Sequence, residues 1–251
     1  MKLSNTAAVI TGGASGLGEA TARYFASQGA TVTLLDRDAE RGPKIAEEIG
    51  GHFVQTDVTD DTSVTAAIAF AVEKMGKITA AVNCAGIGTV GKTLGKEGPL
   101  PLSTFQTTID VNLVGSFNVA RLAAAEMAKN EPDEDGERGV IINTASVAAF
   151  DGQKGQVSYS ASKGGIVGMT LPMARDLARD NIRVMAIAPG IFLTPMLMGL
   201  PEAAQEQLAA DVPNPARLGR PEEYGRMAGF IVEMGYLNGE VIRIDGALRM
   251  R

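Results

Sequence analysis

The chain of 251 residues has an ordinary globular composition, 45% hydrophobic and 21% charged, which excludes an intrinsically disordered protein. Its 23 basic and 29 acidic residues give a net charge of −6, which disfavours nucleic acid as a partner. The single cysteine, Cys84, and the single histidine, His52, exclude an intrachain disulfide and a histidine-rich metal site, so no metal is expected. No apolar stretch reaches the ~20 residues of a membrane span, and no targeting segment is visible. We therefore expect a cytoplasmic protein without a membrane partner.

Short apolar runs alternate along the chain with longer helical patterns. The predicted strands are Ala7–Thr11, Thr31–Leu35, His52–Gln55, Ile78–Asn83, Val140–Asn143, Arg183–Ile187 and Val241–Ile244. The predicted helices are Leu17–Gln28, Ala39–Ile49, Thr62–Lys74, Ser103–Lys129, Tyr159–Arg179 and Glu222–Glu233. Several strands are apolar throughout, which is typical of parallel strands covered on both faces. The pattern predicts one α/β domain over residues 1–251, a doubly wound parallel sheet of about seven strands with helices on both faces.

The turn between the first strand and the first helix is rich in glycine. Residues Thr11–Gly18 read TGGASGLG. Glycine allows a tight turn and a close approach of the backbone, and a helix N-terminus presents free N–H groups to a pyrophosphate. The loop therefore predicts a Rossmann-like fold that binds a dinucleotide. The predicted contacts of this loop come from Gly12, Ser15, Gly16, Leu17 and Gly18.

An acidic residue follows at the distance that such a fold requires. Asp36 lies at the end of the second strand, 18 residues after Gly18. Its carboxylate can accept hydrogen bonds from both hydroxyls of the adenosine ribose, and it would repel a 2′-phosphate. Arg37 weakens this argument, since a basic residue there can meet a phosphate. The balance predicts NAD rather than NADP as the cofactor.

A second glycine motif competes with the first. Residues Gly86–Thr93 read GIGTVGKT and satisfy the P-loop pattern of nucleotide triphosphatases. In a P-loop the lysine and threonine open a helix, whereas here the non-helical stretch Leu94–Pro101 follows. A triphosphatase also needs a carboxylate after a strand to hold its magnesium ion. Asp245 is the nearest candidate, and it lies almost at the end of the sequence, which makes it a weak one. A ligand-binding loop after the fourth strand is therefore the favoured interpretation.

Tyr159 and Lys163 lie four residues apart in a helical pattern, so their side chains share one face. Ser146 lies just beyond the fifth strand. Reduction of a carbonyl by hydride needs a proton donor at its oxygen, and tyrosine has an ordinary pKa of ~10. A neighbouring ammonium and an oxidised nicotinamide would stabilise the phenolate, while a serine hydroxyl would orient the substrate oxygen.

Two irregular stretches are longer than ordinary connections. One is Gly86–Pro101, in which Lys92 and Lys96 are candidates for contacts with phosphates. The other begins at Pro189 and predicts a substrate lid around residues 191–215. Met196 and Leu197 are candidate substrate contacts there, because methionine-rich apolar segments adapt to hydrophobic ligands. A helix that packs on the core or on a subunit neighbour is the alternative.

The chain resembles the short-chain dehydrogenase/reductase family over nearly its whole length. The resemblance is carried by the Thr11–Gly18 loop, the Asn83–Gly86 segment, Ser146, the Tyr159/Lys163 pair and Pro189–Gly190. The resemblance implies that the tyrosine is the general acid and base and that the lysine lowers its pKa and holds the nicotinamide ribose. It implies that the serine positions the substrate and that Asn112 anchors a proton-relay water. It also implies a homotetramer. Further cofactor contacts implied by the resemblance are Asp57, Val58, Cys84, Ala85, Gly86, Pro189, Ile191, Phe192 and Thr194.

Three segments narrow the resemblance further. They are similar to the branch of the family that oxidises 3-hydroxyacyl-CoA with NAD in fatty-acid metabolism. That branch also oxidises hydroxysteroids. The three segments are Arg138–Ala178, Asn238–Met250 and Asn130–Asp133. This similarity implies an acyl-CoA partner, conversion of (S)-3-hydroxyacyl-CoA to 3-oxoacyl-CoA, and a substrate pocket near Gln153 and Gln156. Another hydroxyl substrate such as a hydroxysteroid, and a non-catalytic dinucleotide-binding regulator, are the alternatives.

Overall fold

The computed structural model describes residues 1–198 and 202–250, and seven strands within that part of the chain form one parallel sheet. Two further short strands pair with each other as an antiparallel hairpin. The strands are β1 (Ala7–Thr11), β2 (Thr31–Asp36), β3 (His52–Gln55), β4 (Ala80–Asn83), β5 (Leu94–Gly95), β6 (Gly98–Pro99), β7 (Gly139–Thr144), β8 (Ile182–Pro189) and β9 (Val241–Ile244). The order in the large sheet is β3-β2-β1-β4-β7-β8-β9.

The helices cover both faces of this sheet. In the described residues they are α1 (Gly16–Ser27), α2 (Arg41–Glu48), α3 (Asp61–Met75), α4 (Leu102–Ile109), α5 (Gly115–Met127), α6 (Val157–Asp176), α7 (Pro195–Met198), α8 (Glu202–Ala210) and α9 (Pro221–Glu233). Side chains alternate along a strand, so Ile10 packs with Phe25 of α1 in one apolar cluster and Val9 packs with Val119 of α5 in the other. Both clusters are fully buried, which explains why the strands are apolar throughout.

The chain changes direction across the sheet between β1 and β4. From β1 it proceeds outward to β2 and β3, and it then returns to place β4 on the other side of β1. The helices that follow β1 and β4 therefore leave the sheet on opposite faces, and a crevice opens at the carboxyl ends of these two strands. Every loop that follows a parallel strand emerges at this same edge. This edge is where the predicted site residues must meet.

Local sequence signals account for the ends of individual helices. Asp60 precedes α3 and its Oδ1 accepts hydrogen bonds from the N–H groups of Thr62, at 2.8 Å, and Ser63, at 3.4 Å. The same helix ends at Gly76, whose φ is +77°. Pro221 opens α9 at a position where its missing N–H costs no hydrogen bond.

The structure confirms the predicted fold class. Each of the seven predicted strands lies within two residues of an observed one at both ends. The predicted helix Ser103–Lys129 consists of α4 and α5 joined by one π-helical turn, Asp110–Val114. The sequence analysis does not predict the hairpin of β5 and β6 or the helices α7 and α8; two-residue strands and a four-residue helix are too short to leave a periodic apolar pattern.

Among the described residues, no helix is both long enough and apolar enough to cross a membrane. The same part of the chain contains no group of three or more His, Cys, Asp or Glu side chains arranged to hold a metal ion.

Candidate active site

The turn from β1 into α1 is closed by contacts that only glycine permits. A Cβ at Gly18 would lie 2.2 Å from the carbonyl oxygen of Gly12, and Gly12 has a φ of +66°. A Cβ at Gly12 would lie 2.9 Å from the amide nitrogen of Ala85, so the loop packs directly on the segment after β4. Ser15 precedes α1 without capping it through its side chain. The unpaired N–H groups at the start of α1, beside Leu17, therefore remain for a ligand, and this cradle fits the pyrophosphate of a dinucleotide.

Asp36 ends β2 and fastens the glycine loop to it. Its Oδ2 accepts a hydrogen bond from the Ala14 N–H at 2.9 Å, and its Oδ1 accepts one from the Asp38 N–H at 3.0 Å. The residue is half-buried, so the carboxylate is reachable from the carboxyl edge. Its position fits the ribose contact expected from the sequence. The structure adds a second task, holding the loop, which the sequence pattern did not indicate.

Asp57 and Val58 follow β3 at the same edge. Asp57 Oδ1 accepts hydrogen bonds from the Thr59 hydroxyl at 2.7 Å and from the Thr59 N–H at 2.9 Å, and these bonds hold the pKa of Asp57 below its ordinary value. Arg37 Nε lies 3.8 Å from Asp57 Oδ2. Val58 is buried against Gly115, where a Cβ would lie 2.6 Å from its side chain. The edge thus offers a fixed carboxylate above an apolar floor, an arrangement that fits an adenine ring.

The segment after β4 presents its backbone to the crevice. Thr11 Oγ1 accepts hydrogen bonds from the N–H groups of Cys84, at 3.1 Å, and Ala85, at 3.0 Å. The sulfur of Cys84 turns inward, 3.7 Å from the hydroxyl of Tyr224, and burial raises the pKa of this thiol. The side chain of Cys84 is therefore a packing group.

Ser146 and Tyr159 meet above the carboxyl end of β7. The Oγ of Ser146 accepts a hydrogen bond from the Ala148 N–H at 3.1 Å, and the serine hydroxyl lies near the phenol of Tyr159. Burial raises the pKa of Tyr159 above its ordinary value, while the nearby hydroxyl of Ser146 lowers it. The sequence analysis expects a lowered pKa for the tyrosine. The chain without a cofactor does not lower it, because burial disfavours the phenolate more strongly than Ser146 stabilises it. The phenol is therefore protonated at neutral pH.

Lys163 lies beneath the tyrosine ring. Its side chain is buried, its Nζ donates to the carbonyl oxygen of Thr144 at 2.7 Å, and the Nζ lies 5.7 Å from the centroid of the Tyr159 ring. Burial lowers the pKa of Lys163 to about 8. A Cβ at Gly86 would lie 3.7 Å from the Nζ, so the ammonium lies beside the segment after β4. The four-residue spacing thus places both side chains on one face, as expected.

Asn112 is fully buried in the π-helical turn. Its Oδ1 accepts from the Ile87 N–H at 2.8 Å, and its Nδ2 donates to the Ile87 carbonyl and to Ser162 Oγ, both at 3.0 Å. Ser162 Oγ in turn donates to the carbonyl of Tyr159 at 2.7 Å. Asn112 therefore connects the loop after β4 to the turn of α6 that carries the tyrosine.

The segment after β8 returns to the glycine loop. Phe192 is buried against Gly219, where a Cβ would lie 2.8 Å from its ring. Thr194 lies beside the start of α1, since a Cβ at Gly16 would be 3.5 Å from its Cγ2. Ile191, just before Phe192, is half-buried. The segment therefore lies beside the proposed pyrophosphate cradle.

The predicted lid is only partly described. Leu197 lies in α7 and is half-buried, and α8 follows in the same region. The side chain of Met196 and the residues 199–201 lie outside the described part of the chain. A substrate lid around residues 191–215 therefore stays a prediction.

Gln153 and Gln156 lie in the short loop between Ser146 and α6. The Gln153 N–H donates to Gln156 Oε1 at 2.9 Å, so the amide of Gln156 folds back onto its own loop. The Gly91 N–H donates to the carbonyl of Gly155 at 2.8 Å. The glycine-rich stretch after β4 is thereby held against the loop that contains both glutamines.

The structure contradicts the interpretation of Gly86–Thr93 as the P-loop of a triphosphatase. No helix opens at Lys92 and Thr93, which instead lead into the hairpin of β5 and β6. The next helix, α4, begins at Leu102. A P-loop needs a helix N-terminus directly after the lysine to bind phosphate, so the match of Gly86–Thr93 to that pattern is accidental.

Two residues of the site were missed by the sequence interpretation. Thr144 holds Lys163 through its backbone carbonyl, and its Oγ1 lies 2.7 Å from the hydroxyl of Tyr224. Thr11 holds the segment after β4 through its hydroxyl. The residue type does not show which backbone carbonyl will accept a hydrogen bond. The one available signal in the sequence was that a polar residue ends each of these two apolar strands.

Comparisons with known proteins identify the class. A family model described as short chain dehydrogenase matches residues 6–205. The chain therefore belongs to the short-chain dehydrogenase family, and it is an oxidoreductase. The 3-hydroxyacyl-CoA dehydrogenase type-2 proteins of Bos taurus and Homo sapiens are each 57% identical to it over 248 residues, which is 97% of this chain and 95% of theirs.

Solved structures agree with this assignment. The crystal structure of 3-hydroxyacyl-CoA dehydrogenase type-2 from Mycobacterium avium superimposes with a TM-score of 0.94 at 44% identity, covering 97% of this chain and 96% of that one. A 7α-hydroxysteroid dehydrogenase complexed with NADH and 7-oxo glycochenodeoxycholic acid superimposes with a TM-score of 0.86 at 30% identity, covering 96% of this chain and 94% of that one. The family expected from the sequence is thus confirmed.

The buried ammonium of Lys163 generates a prediction about stability. Its pKa is about 8 in the folded protein and ordinarily 10.5, so below pH 8 the group is charged in both states and burial costs about 3 kcal/mol. Between pH 8 and 10.5 the folded protein releases this proton and the cost disappears. We expect Lys163→Met to raise the free energy of unfolding at pH 7 by about 2 kcal/mol, with the gain lost by about pH 10.

Urea unfolding between pH 6 and pH 10 measures this difference. The exposed Lys129, changed to Met, is the matched control and should show no pH-dependent gain. A Lys163→Met protein that is less stable than the wild type at pH 7, or whose gain is the same at every pH, contradicts the prediction.

Proposed function

We propose that the protein oxidises (S)-3-hydroxyacyl-CoA to 3-oxoacyl-CoA with NAD. The observation that carries the proposal is the meeting of Ser146, Tyr159 and Lys163 beside the glycine cradle, since this group can bind and protonate a carbonyl oxygen next to a dinucleotide. The acyl-CoA substrate is supported by the names of the relatives that are 57% identical and nearly equal in length.

The proposed mechanism assigns proton transfer to Tyr159. A bound nicotinamide dinucleotide supplies or accepts the hydride. In the reductive direction the Tyr159 hydroxyl donates its proton to the substrate oxygen, and in the oxidative direction it takes that proton back. Ser146 Oγ orients the same oxygen. Lys163 places a buried positive charge under the phenol ring, where it stabilises the phenolate that forms in each reductive turnover.

Removal of the Tyr159 hydroxyl tests this assignment. We expect Tyr159→Phe to lower kcat by roughly 10² to 10⁴-fold, because the proton donor is lost while the ring still packs. The dissociation constant of NADH, followed by fluorescence, should change little. A folded variant with near-normal kcat would show that another group carries the proton.

NAD is the proposed cofactor because of Asp36. The carboxylate at the end of β2 favours ribose hydroxyls over a 2′-phosphate, and the neighbouring Arg37 lies with its Nε 3.8 Å from the carboxylate of Asp57. The wild type should therefore use NAD at least about tenfold more efficiently than NADP, as kcat/KM, a difference of about 1.4 kcal/mol.

Two variants separate the two tasks of Asp36. Asp36→Asn keeps an oxygen that can accept from Ala14 N–H, whereas Asp36→Ala removes it. Both should narrow the gap between NAD and NADP, but Asp36→Ala should lose more efficiency with NAD because the glycine loop is also released. Equal kcat/KM with the two cofactors in the wild type contradicts the proposal.

Lys92 and Lys96 are proposed contacts of the CoA phosphates. Both are exposed on the stretch that is held against the loop of Gln153 and Gln156. We expect the double variant Lys92→Gln, Lys96→Gln to raise KM for acetoacetyl-CoA by about tenfold, because two charge contacts are lost. KM for acetoacetyl-N-acetylcysteamine, a thioester without those phosphates, should stay the same.

The control for this experiment is Lys129→Gln, an exposed lysine just after α5 at the opposite edge of the sheet. High salt should raise KM for the CoA ester in the wild type and have less effect in the double variant. Equal loss with both thioesters would mean that the two lysines maintain the loop rather than bind phosphate.

A hydroxysteroid is the second candidate substrate. It is supported by the likeness to the 7α-hydroxysteroid dehydrogenase structure at 30% identity. A panel of 3-hydroxyacyl-CoA esters of graded length, with hydroxysteroids alongside, compares kcat/KM directly. The role in fatty-acid metabolism and the homotetramer stay predictions from the family resemblance, and the cytoplasmic location stays a prediction from the sequence.

A further inference from the structure

One arginine joins the loop after Ser146 to the residues that follow the last strand, behind the proposed substrate side of the site. Arg243 in β9 donates from Nη2 to Asp151 Oδ2 at 2.7 Å and from Nε to Asp245 Oδ2 at 2.6 Å. Its Nη2 also donates to the carbonyl of Leu248 at 3.0 Å, and its guanidinium lies 5.2 Å from the centroid of the Phe150 ring. The side chain is 22% exposed. Three acceptors and one ring therefore determine its position.

The first of these partners lies between two residues of the proposed catalytic group. Asp151 is in the loop that leads from Ser146 to Tyr159, and its N–H donates to the carbonyl of Val147 at 2.9 Å. That loop covers residues 147–156 before α6 begins. A shift of Asp151 therefore changes how the serine and the tyrosine face a common substrate oxygen.

The second partner supports the segment after β8. A Cβ at Gly190 would lie 2.9 Å from the Cα of Asp245, and the Gly190 N–H donates to the carbonyl of Ile244 at 2.9 Å. Asp245 also accepts from the Ala247 N–H at 2.9 Å. The loop from Ser146 and the segment that begins at Gly190 thus both rest on the end of β9.

We propose that Arg243 is a positioning residue for the substrate, acting through Asp151 on the loop between Ser146 and Tyr159. The inference rests on the proposed function, since it assigns the loop to the carbonyl substrate. Isolated exposed ion pairs contribute little to the stability of a fold. A largely buried guanidinium with several fixed acceptors is instead held in a single orientation. Lysine cannot reproduce that planar fork. The contact with Asp151 acts on substrate binding, because none of the partners of Arg243 lies in the glycine loop after β1.

The test compares acetoacetyl-CoA with NADH. We expect Arg243→Gln and Asp151→Ala each to raise KM for acetoacetyl-CoA by about five- to tenfold, with a smaller fall in kcat and a KM for NADH within about twofold of wild type. Asp151→Asn keeps an acceptor oxygen for the guanidinium and should remain close to wild type. The double variant Arg243→Gln, Asp151→Ala should be no worse than Arg243→Gln, because both changes break the same contact.

A matched control is Arg23→Gln. It breaks an ion pair of the same 2.7 Å length, to Glu48, on the outer surface of α1. This variant should leave both KM values unchanged. Thermal unfolding of every variant shows whether the protein is folded before kinetics are compared.

Hydrogen exchange provides a readout that does not depend on the substrate. Arg243→Gln should speed amide exchange in residues 147–156 and not in residues 12–18. If the wild type reduces no 3-oxoacyl-CoA, the proposed function is wrong, and the exchange result still tests the positioning contact. Unchanged KM for acetoacetyl-CoA in folded variants, an equal rise in KM for NADH, additive effects in the double variant, or unchanged exchange in residues 147–156 would each overturn the proposal.

Discussion

The parallel pairing of β1 with β4 is the constraint on which the candidate site depends. Because both strands run in the same direction, their carboxyl ends lie together, and the chain leaves them toward opposite faces of the sheet. Thr11 at the end of β1 holds the N–H groups of Cys84 and Ala85 after β4, and Gly12 packs against the same segment. The crevice is thereby given a floor made of backbone. A larger residue at Gly12 would push the two loops apart.

Polar groups of the candidate site are buried in that crevice. Lys163 carries its ammonium into the interior, where the carbonyl of Thr144 is its hydrogen-bond partner, and Tyr159 lies above it. Burial acts against the charged form of both side chains, lowering one pKa and raising the other. The site is therefore destabilising for the fold, and the surrounding apolar clusters must offset it. A positive charge brought by a cofactor would act in the opposite direction on the tyrosine.

Much of the fold was predictable because its signals are local. Strands such as Ala7–Thr11 are continuous apolar runs, and the glycines of Thr11–Gly18 mark a turn that no other residue type can form. The spacing of Tyr159 and Lys163 depends only on the period of a helix. The hairpin after Gly91 and the π-helical turn around Asn112 were missed, since neither changes the apolar periodicity. The lid prediction depends on the length and composition of residues 191–215, and neither property separates a packed helix from a closing one.

The sequence by itself determined the class of fold, the nucleotide loop and the pair of residues that share a helix face, because each follows from residue type and short-range spacing. Only the tertiary structure decided which distant residues meet. The carbonyl of Thr144 under Lys163, the bonds of Asn112 to Ile87 and Ser162, and the second task of Asp36 on the glycine loop depend on how the strands align in space. Contacts of this kind involve backbone atoms or residues far apart in the chain, and neither leaves a periodic pattern in the sequence.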